Sequence, residues 1–353
     1  MGDDYADDPF LEDDMKRTHF TSLRSGAWIL SLTLSAMTAG SLALPVSAAD
    51  EQGGPTFTDV REAGEDYAAQ GEFQGMIPSD DTPLWGAQLI ALGKGEFRLV
   101  GYPGGLPGSG YTAGTPTKSA DGKRVGNKIV VKQEDYEAIV DGDSLTIASD
   151  GKTVGTLKRV HRESPTQGKK APEGAVVLFD GSSADHFENG KMTDDHLLMA
   201  DTFSHEKLGD HTMHIEFRTP FRPLARGQAR GNSGVYLQSR YELQVLDSFG
   251  LSGEDNECGG IYKISKPKVN MCYPPLTWQT YDIDFVAATY EGDKKTAPAR
   301  TTIRHNGVII HDNLELKEGT PGRLPEGPGP QPLYLQGHGN PVVYRNIWYV
   351  PAK

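Results

Sequence analysis

The chain has 353 residues and a formal net charge of −13 at neutral pH. Broad binding to nucleic acid needs a basic surface, so this charge argues against that class of partner. The 42 glycines and 23 prolines indicate many turns and favour a β-rich fold. About 300 residues follow the N-terminal leader, which is enough for two domains.

The N-terminal segment has the order of a secretory leader. A basic stretch begins at Met15, an apolar run follows from 26 to 44, and small residues before Ala49 supply a cleavage point. Residues 1–14 are acidic and do not fit, so we expect the true start at Met15. A retained anchor is the alternative, but Pro45 favours cleavage. We therefore expect an exported protein, periplasmic or extracellular, with no membrane span after leader cleavage.

The next region predicts a lead-in and a small all-β domain. Residues 50–83 are polar without sustained periodicity, apart from a short helix near 59–69. A small β domain is predicted over 84–162, where Asp150-Gly151 is typical of a type I′ hairpin turn. Its predicted strands are 85–92, 97–102, 129–132, 134–140, 144–148 and 153–160. Residues 163–174 are charged and contain two prolines, which predicts a linker.

The last region, 175–353, alternates apolar and polar residues with the period of two that defines a β-strand. In His211–Arg218, for example, every second residue is apolar. Another hairpin turn is predicted at Asn306-Gly307, and the flanking His305 and His311 are expected on the solvent side. Many strands without helical periodicity predict a two-sheet sandwich or jelly roll.

The polar faces of these strands carry groups suited to sugars. Tyr236 stands on one strand, and Glu242 and Gln244 share a face of the next. Hydrogen-bonding amides and aromatic rings on a concave sheet are what sugar recognition needs. A β-bulge would also bring Asp247 to this face, in a pattern similar to the E-x-D-x-x-E strand of laminarinase-type glucanases. The alternatives are that Asp247 caps a turn with Ser248 and that Glu242 is an exposed strand carboxylate.

Cys258 and Cys272 are the two cysteines of the chain. An even count in an exported protein allows a disulfide. Such a bridge would close a short loop and stabilise the fold by ~3 kcal/mol. Two buried free thiols are the alternative.

Several segments occur together in an order that resembles a known family. They are "VVLFDGSS" (176–183), "GNSGVYLQSRYELQVLD" (231–247), "GGIY" (259–262), "HNGVII" (305–310) and "YLQGHGNPVVYRNIWYV" (334–350). Together they are similar to the 3-keto-disaccharide hydrolase domain family. The resemblance implies a concanavalin A-like two-sheet jelly-roll sandwich, preceded here by a smaller all-β domain that is similar to an accessory domain. It also implies hydrolysis of glycosides that carry a 3-keto sugar.

The implied chemistry requires few groups. A ketone at carbon 3 acidifies the hydrogen at carbon 2, so elimination followed by addition of water would cleave the glycosidic bond. We expect Glu242 to act as general base or acid, with Asp247 or His338 as its partner. The expected substrate-binding residues are Arg218, Asn232, Tyr236, Gln244, Tyr262 and Trp278. Among these, Arg218, Asn232 and Gln244 would donate to sugar or enolate oxygens, and Tyr262 or Trp278 would stack on the ring.

No cofactor is expected, since the sequence has no HExxH motif, no CxxC pair and no Gly-rich phosphate loop. The implied fold can hold a structural Ca²⁺, but no loop matches the EF-hand pattern. The expected partner is an oligosaccharide or a 3-keto-sugar. A non-catalytic, lectin-like carbohydrate-binding module is the main alternative, and a structural domain of a surface assembly is a third.

Overall fold

The computed structural model describes residues 54–78 and 81–352, and it consists almost entirely of β-strands. The predicted leader, residues 1–49, lies outside the described residues. Within those two ranges, no helix is long and apolar enough to cross a membrane.

Eight antiparallel strands close a barrel in the first part of the chain. They are β1 (Gly71–Met76), β2 (Leu84–Gly93), β3 (Glu96–Pro103), β6 (Lys118–Val125), β7 (Lys128–Gln133), β8 (Tyr136–Asp141), β9 (Ser144–Ser149) and β10 (Lys152–Val160). Around the barrel the order is β1-β10-β9-β8-β7-β6-β3-β2. The helix α1 (Gly64–Ala69) precedes β1, and two short strands, β4 (Leu106–Pro107) and β5 (Gly110–Tyr111), pair with each other between β3 and β6.

Two of these strands differ from the sequence-based expectation. Strand β1 lies in the segment predicted as a lead-in, so the barrel begins at Gly71 and not at 84. Strand β6 was not predicted, because it is mostly polar and its inward positions, which include Lys118, Ala120 and Gly122, carry no large apolar side chain. Its backbone pairs with β3 and β7 and so closes the barrel, and this tertiary pairing makes it a strand although its sequence has a weak strand pattern.

Two sheets form a sandwich in the second part of the chain. The seven-stranded sheet contains β11 (Val176–Phe179), β13 (Leu198–Met199), β15 (His211–Arg218), β18 (Gln279–Val286), β21 (Ala299–His305), β22 (Val308–Leu316) and β24 (Val343–Pro351). The five-stranded sheet contains β12 (Phe187–Glu188), β14 (Thr202–Leu208), β16 (Ser233–Leu237), β17 (Tyr241–Val245) and β23 (Gln331–Leu335), in the order β12-β14-β23-β16-β17. A separate hairpin pairs β19 (Thr289–Glu291) with β20 (Lys294–Ala297), and one 3₁₀ turn spans Gly227–Ala229.

The core of the sandwich lies between these two sheets. Every second residue of each strand points into it, as with Ile215 and Phe217 in β15 and Val235 and Leu243 in the facing sheet. All four are fully buried. The predicted fold, an all-β two-sheet sandwich preceded by a smaller all-β domain, is confirmed.

The barrel packs against the sandwich through shared apolar residues. Phe221, which follows β15, belongs to the apolar cluster inside the barrel wall. Phe249, which follows β17, packs on Ile90 and Val100 on the outer face of β2 and β3. Strand β2 is therefore buried on both faces, and it joins the two parts into one compact unit.

The predicted linker, residues 163–174, lies on the outer face of the seven-stranded sheet. The backbone N–H of Gly168 donates to Glu216, whose carboxylate also receives hydrogen bonds from Arg345 at 2.8 Å and Asn346 at 2.8 Å. Burial alone would raise the pKa of Glu216, but hydrogen bonds from these groups and from His214 lower it to about 2. This buried polar network fixes the linker to the sheet.

His305 and His311 are buried, so the expectation that they face solvent is wrong. A ring nitrogen of His305 lies 2.9 Å from Oε1 of Gln279, and His311 donates to the carbonyl of Gly259 at 2.7 Å. Burial lowers the pKa of His305 to about 3, so it is neutral at physiological pH.

Candidate active site

The polar face of the five-stranded sheet holds the candidate site. Val235, Leu237 and Leu243 point into the core, so Tyr236 and Glu242 point to the opposite face. The register of β16 and β17 places Tyr236 directly opposite Glu242. Cross-strand neighbours on one face are close enough to interact, and this pair does.

Glu242 is the only carboxylate of β17, and it is 3% exposed. The hydroxyl of Tyr236 donates to Oε2 of Glu242 at 2.7 Å. A Cβ at Gly234 would lie 2.6 Å from Oε1, so glycine leaves the space that this carboxylate occupies. Burial raises the pKa of Glu242 to about 7, although the hydrogen bond from Tyr236 acts in the lowering direction. A carboxyl group with this pKa can gain or lose a proton at neutral pH.

Two glutamine amides extend the hydrogen bonding around the pair. Gln336, just after β23, donates from Nε2 to the hydroxyl of Tyr236 at 3.2 Å. Gln244 donates from Nε2 to Oδ1 of Asn232 at 2.8 Å and to the carbonyl of Ser233 at 2.9 Å. The side-chain oxygens of both glutamines are buried without a hydrogen-bond partner. Both glutamines therefore offer unused acceptors.

This geometry changes the expected role of Gln244. Its N–H groups already bind Asn232 and backbone carbonyls, so its free atom is the oxygen, which only accepts. Asn232 in turn donates from Nδ2 to Oε1 of Gln228 at 2.9 Å. Gln244 is therefore not a free donor to an enolate, contrary to the prediction, whereas Asn232 has bound one of its two amide hydrogens. Gln244 is suited to accept a hydrogen bond from a hydroxyl.

An aromatic wall stands beside the pair on the neighbouring strands. Phe203 of β14 stacks on Tyr334 of β23, with 4.3 Å between ring centroids, and Tyr334 lies 5.4 Å from Tyr236. The guanidinium of Arg323 lies 3.9 Å from the ring centre of Tyr334. The hydroxyl of Tyr334 accepts from Arg323 and donates to Asp201 at 3.2 Å. Apart from Tyr236, none of these residues was predicted from the sequence to belong to the site.

Tyr262 lies at the edge of the same sheet, as expected for a substrate-binding residue next to Glu242. Its backbone N–H donates to the carbonyl of Glu242 at 3.1 Å. Ile261, one residue earlier, bridges to Leu243 and belongs to the core, and the half-buried Tyr262 lies in the turn that follows, with the ammonium of Lys263 5.5 Å from its ring centre. The polar face thus brings together Glu242, Tyr236, Gln244 and Asn232 of the predicted residues, and the turn that carries Tyr262 adjoins it.

The sequence of the sandwich matches a known protein family. Residues 174–349, which cover nearly all of the sandwich, match the family described as the 3-keto-alpha-glucoside-1,2-lyase-like domain. This chain belongs to that family. No curated protein matches the chain. Membership in the lyase-like family supports a glycoside hydrolase-like function with a carbohydrate substrate.

Three solved structures similar to the chain each carry the name "putative glycosyl hydrolase" and come from Parabacteroides distasonis ATCC 8503. The first is 30% identical and is matched over 52% of this chain and 85% of its own, with a TM-score of 0.47. The second is 15% identical, over 55% of this chain and 99% of its own, with a TM-score of 0.38. The third is 18% identical, over 50% and 99%, with a TM-score of 0.36.

In this lyase-like domain, Asp247 does not join Glu242. Asp247 follows the end of β17 and forms a buried ion pair with Arg230 at 2.7 Å. Its other hydrogen bond comes from the backbone N–H of Phe249 at 3.4 Å. Because the strand ends at Val245, no bulge returns Asp247 to the polar face. Its carboxylate is engaged in holding the loop and has no contact with the carboxylate of Glu242.

Arg218 and Trp278 lie on the other sheet of the lyase-like domain. Arg218 ends β15, and its side chain points to the outer face of the seven-stranded sheet, opposite in direction to Phe217. Its guanidinium lies 5.1 Å from the ring of Trp278, and that of Arg345 lies 3.9 Å from the same ring. The sandwich core separates Trp278 from Glu242, whereas Arg218 lines an open groove together with Asp201 and His338 and has no contact with Glu242.

His338 is exposed and lines an open groove of about 900 Å³. Asp201 lines the same groove and also binds Tyr334 of the aromatic wall. The groove therefore adjoins the polar face at Asp201, which places His338 at the edge of the site and not beside Glu242.

Cys258 and Cys272 are free, so the proposed disulfide between them is not formed in this structure. Both side chains are buried in the core, where the sulfur of Cys258 lies 3.2 Å from the hydroxyl of Tyr281. The described part of the chain contains no group of three or more His, Cys, Asp or Glu side chains placed to hold a metal ion.

Proposed function

We propose that this protein cleaves the glycosidic bond of 3-keto-α-glucosides by elimination, with Glu242 as the base that removes the proton from carbon 2. The observation that carries the proposal is the buried pair of Tyr236 and Glu242, whose carboxyl group has a pKa of about 7 on a face lined by amides and aromatic rings. The family match to residues 174–349 supports the choice of substrate.

The chemistry follows from the ketone. A carbonyl at carbon 3 lets the electron pair of the carbon 2–hydrogen bond delocalise onto oxygen as an enolate. That electron pair then forms the carbon 1–carbon 2 double bond, while the bond from carbon 1 to the glycosidic oxygen breaks. The leaving oxygen takes a proton, and an enone and an alcohol are released. Addition of water to carbon 1, with a proton returned to carbon 2, makes the overall reaction a hydrolysis.

The stereochemistry of the substrate determines where the base and the acid must lie. In an α-glucoside the hydrogen on carbon 2 and the oxygen on carbon 1 lie on opposite faces of the ring. The base and the acid must then stand on opposite sides of the sugar. We assign the base to Glu242 and place the acid on the side where the polar face meets the groove, at Asp201 or His338. Arg323, beside Tyr334, is the cation that would stabilise the enolate oxygen.

Access to Glu242 requires a change in the covering segment. The carboxylate is 3% exposed. The segment between β22 and β23 lies over the pair, since a Cβ at Gly322 would lie 3.1 Å from the hydroxyl of Tyr236. Thr320 of the same segment donates its N–H to the carbonyl of Arg240 at 2.8 Å. We place the substrate entrance under this segment.

The test uses the full chain, a 3-keto-α-glucoside and its unoxidised parent, with released alcohol as the readout. We expect turnover of the keto sugar alone and at least a 100-fold loss in Glu242→Gln. Glu291→Gln, which alters an exposed carboxylate in β19, is the matched control and should keep full activity. Saturable binding of the sugar without turnover would instead support the lectin-like function.

We also propose that the mature protein is exported after removal of the leader. The proposal rests on the basic, apolar and small-residue order before Ala49. N-terminal sequencing of the protein from the extracytoplasmic fraction should find a start near residue 49 or 50. A protein that retains Met15 in the cytoplasm would contradict it.

A further inference from the structure

The barrel contains a cavity that the proposed function does not use. It has a volume of about 270 Å³ and is lined mainly by apolar side chains of the inner barrel surface, among them Leu99, Val131, Leu145 and Ile147. At the liquid volume of water this space corresponds to roughly nine water molecules. An eight-stranded barrel is just wide enough to be filled by its own side chains or to hold one small ligand.

Small inward-pointing side chains leave part of the barrel interior empty. Ala87, Ala120 and Ala138 point inward at positions where larger side chains would close the space. A Cβ at Gly101 would lie 3.3 Å from the ring of Trp85, so glycine leaves room for the indole against the wall. Leu99, a partly exposed apolar side chain, also borders the space. The interior is thus open at one end.

The unpaired indole N–H of Trp85 indicates that a ligand of this cavity would carry a hydrogen-bond acceptor. The side chain of Trp85 lines the cavity, is 6% exposed, and its indole nitrogen is buried without any hydrogen-bond partner. An indole N–H can only donate, and buried donors in native proteins are nearly always paired. An oxygen atom of a bound molecule would supply the missing acceptor.

A cation stands at the open end of the cavity. The ammonium of Lys118 lies 5.3 Å from the ring centre of Trp85 and 5.5 Å from that of Tyr136, and all three residues line the cavity. Within residues 54–78 and 81–352, no carboxylate pairs with Lys118. Tyr136 is 52% exposed, which marks the rim. The cavity therefore combines an apolar interior with an unpaired cation and a free N–H donor.

We propose that the barrel binds a small aromatic carboxylate. Its ring would occupy the apolar interior, and its carboxylate would bind the ammonium of Lys118 and the indole N–H of Trp85. Charge-assisted hydrogen bonds of this kind are the stronger class, so the anion is favoured over a neutral molecule of the same shape. The volume fits a ligand of roughly ten heavy atoms. This site is separate from Glu242 and does not depend on the proposed glycoside cleavage.

The experiment titrates the full chain with 3-phenylpropanoate and with the neutral 3-phenylpropanol, using isothermal calorimetry. We expect one site per chain, with the carboxylate binding at least 5-fold more tightly than the alcohol. Lys118→Gln should remove that preference and leave alcohol binding unchanged. Lys123→Gln on the same strand is the matched control, since Lys123 faces outward and pairs with Glu96.

A second variant tests the cavity itself. Ala138→Leu fills the space between the strands and should abolish binding of both compounds, and a thermal melt checks that the variant is folded. Absence of carboxylate binding by the wild-type protein at millimolar concentration would overturn the proposal. Equal affinity for acid and alcohol, or binding that both variants leave unchanged, would also overturn it.

Discussion

Tyr236 donates its phenolic hydrogen to Glu242 at 2.7 Å from the position directly opposite on the adjacent strand. The same hydroxyl accepts a hydrogen bond from Gln336. The buried carboxyl group is thus held by one directional contact, while burial keeps its pKa near neutrality.

Tyr236→Phe removes the one side-chain donor to Glu242. Because that hydrogen bond lowers the pKa of the carboxyl group, its loss should move the pKa of Glu242 above about 7. The acid limb of the pH profile of kcat/KM should shift to higher pH, with a loss of about 10-fold at pH 7. An unshifted profile would contradict a role for Tyr236 in setting this pKa.

Glu242→Gln should stabilise the protein at high pH. The folded pKa of about 7 lies above the ordinary value of 4.5, so folding favours the protonated form. The contribution of Glu242 to wild-type stability is then fully present below pH 4.5 and is lost as the pH rises through about 7. The variant carries no charge and should be more stable by roughly 2–3 kcal/mol above pH 7. Urea unfolding between pH 4 and 9 measures the difference, and parallel curves would contradict it.

Gly234→Ala should displace the pair of Tyr236 and Glu242. The added Cβ would lie 2.6 Å from Oε1 and 3.0 Å from Cγ of Glu242, and 3.0 Å from Cε2 of Tyr236. Both buried side chains must then shift, which disturbs the hydrogen bond between them. We expect a loss of activity of about 100-fold together with about 1–3 kcal/mol of destabilisation. Gly209→Ala, where an added Cβ meets nothing within 4 Å, is the control for both quantities.

Glu216→Gln should lower the stability of the fold and leave catalytic activity unchanged. It removes the charge that Arg345 and His214 face on the outer sheet, which we expect to cost about 3 kcal/mol at pH 7. Since the folded pKa of about 2 lies below the ordinary 4.5, this contribution is present above pH 4.5 and is lost as the pH falls through about 2. Chemical unfolding measures it.

The control for Glu216 is Glu315→Gln, which alters a more exposed pair with Arg300. Exposed ion pairs contribute less than about 1 kcal/mol, so this variant should unfold nearly as the wild type does. Equal effects of the two substitutions would contradict the structural role of the outer network.

Alternation along single strands was enough to predict part of the site. A period of two fixes which residues share a face, and this placed Glu242 and Gln244 together beside Tyr236 correctly. Alternation alone sends Asp247 to the opposite face, and the predicted β-bulge that would bring it back is not formed, because the strand ends at Val245 and Asp247 binds Arg230. Strand ends depend on the tertiary contacts of the following loop, which local pattern does not contain.

Alternation also does not say which sheet a strand joins. Arg218 has the right polarity for a polar face, but β15 belongs to the seven-stranded sheet, so its side chain lines the groove that contains His338 and does not share the face of Glu242. The aromatic wall was missed for the converse reason. Phe203 and Tyr334 are distant in sequence and become neighbours only because β14 pairs with β23. Pairing of distant strands carries most of the information that sequence pattern lacks.

The fate of the hydrogen on carbon 2 tests the central claim most directly. A 3-keto-α-glucoside labelled with deuterium at carbon 2 is converted by the wild-type protein, and the label is followed in the product and in the solvent. Elimination through Glu242 predicts that the deuterium is lost to water during turnover, at a rate above that of the substrate alone and suppressed in Glu242→Gln. Cleavage that retains the deuterium at carbon 2 would contradict the account.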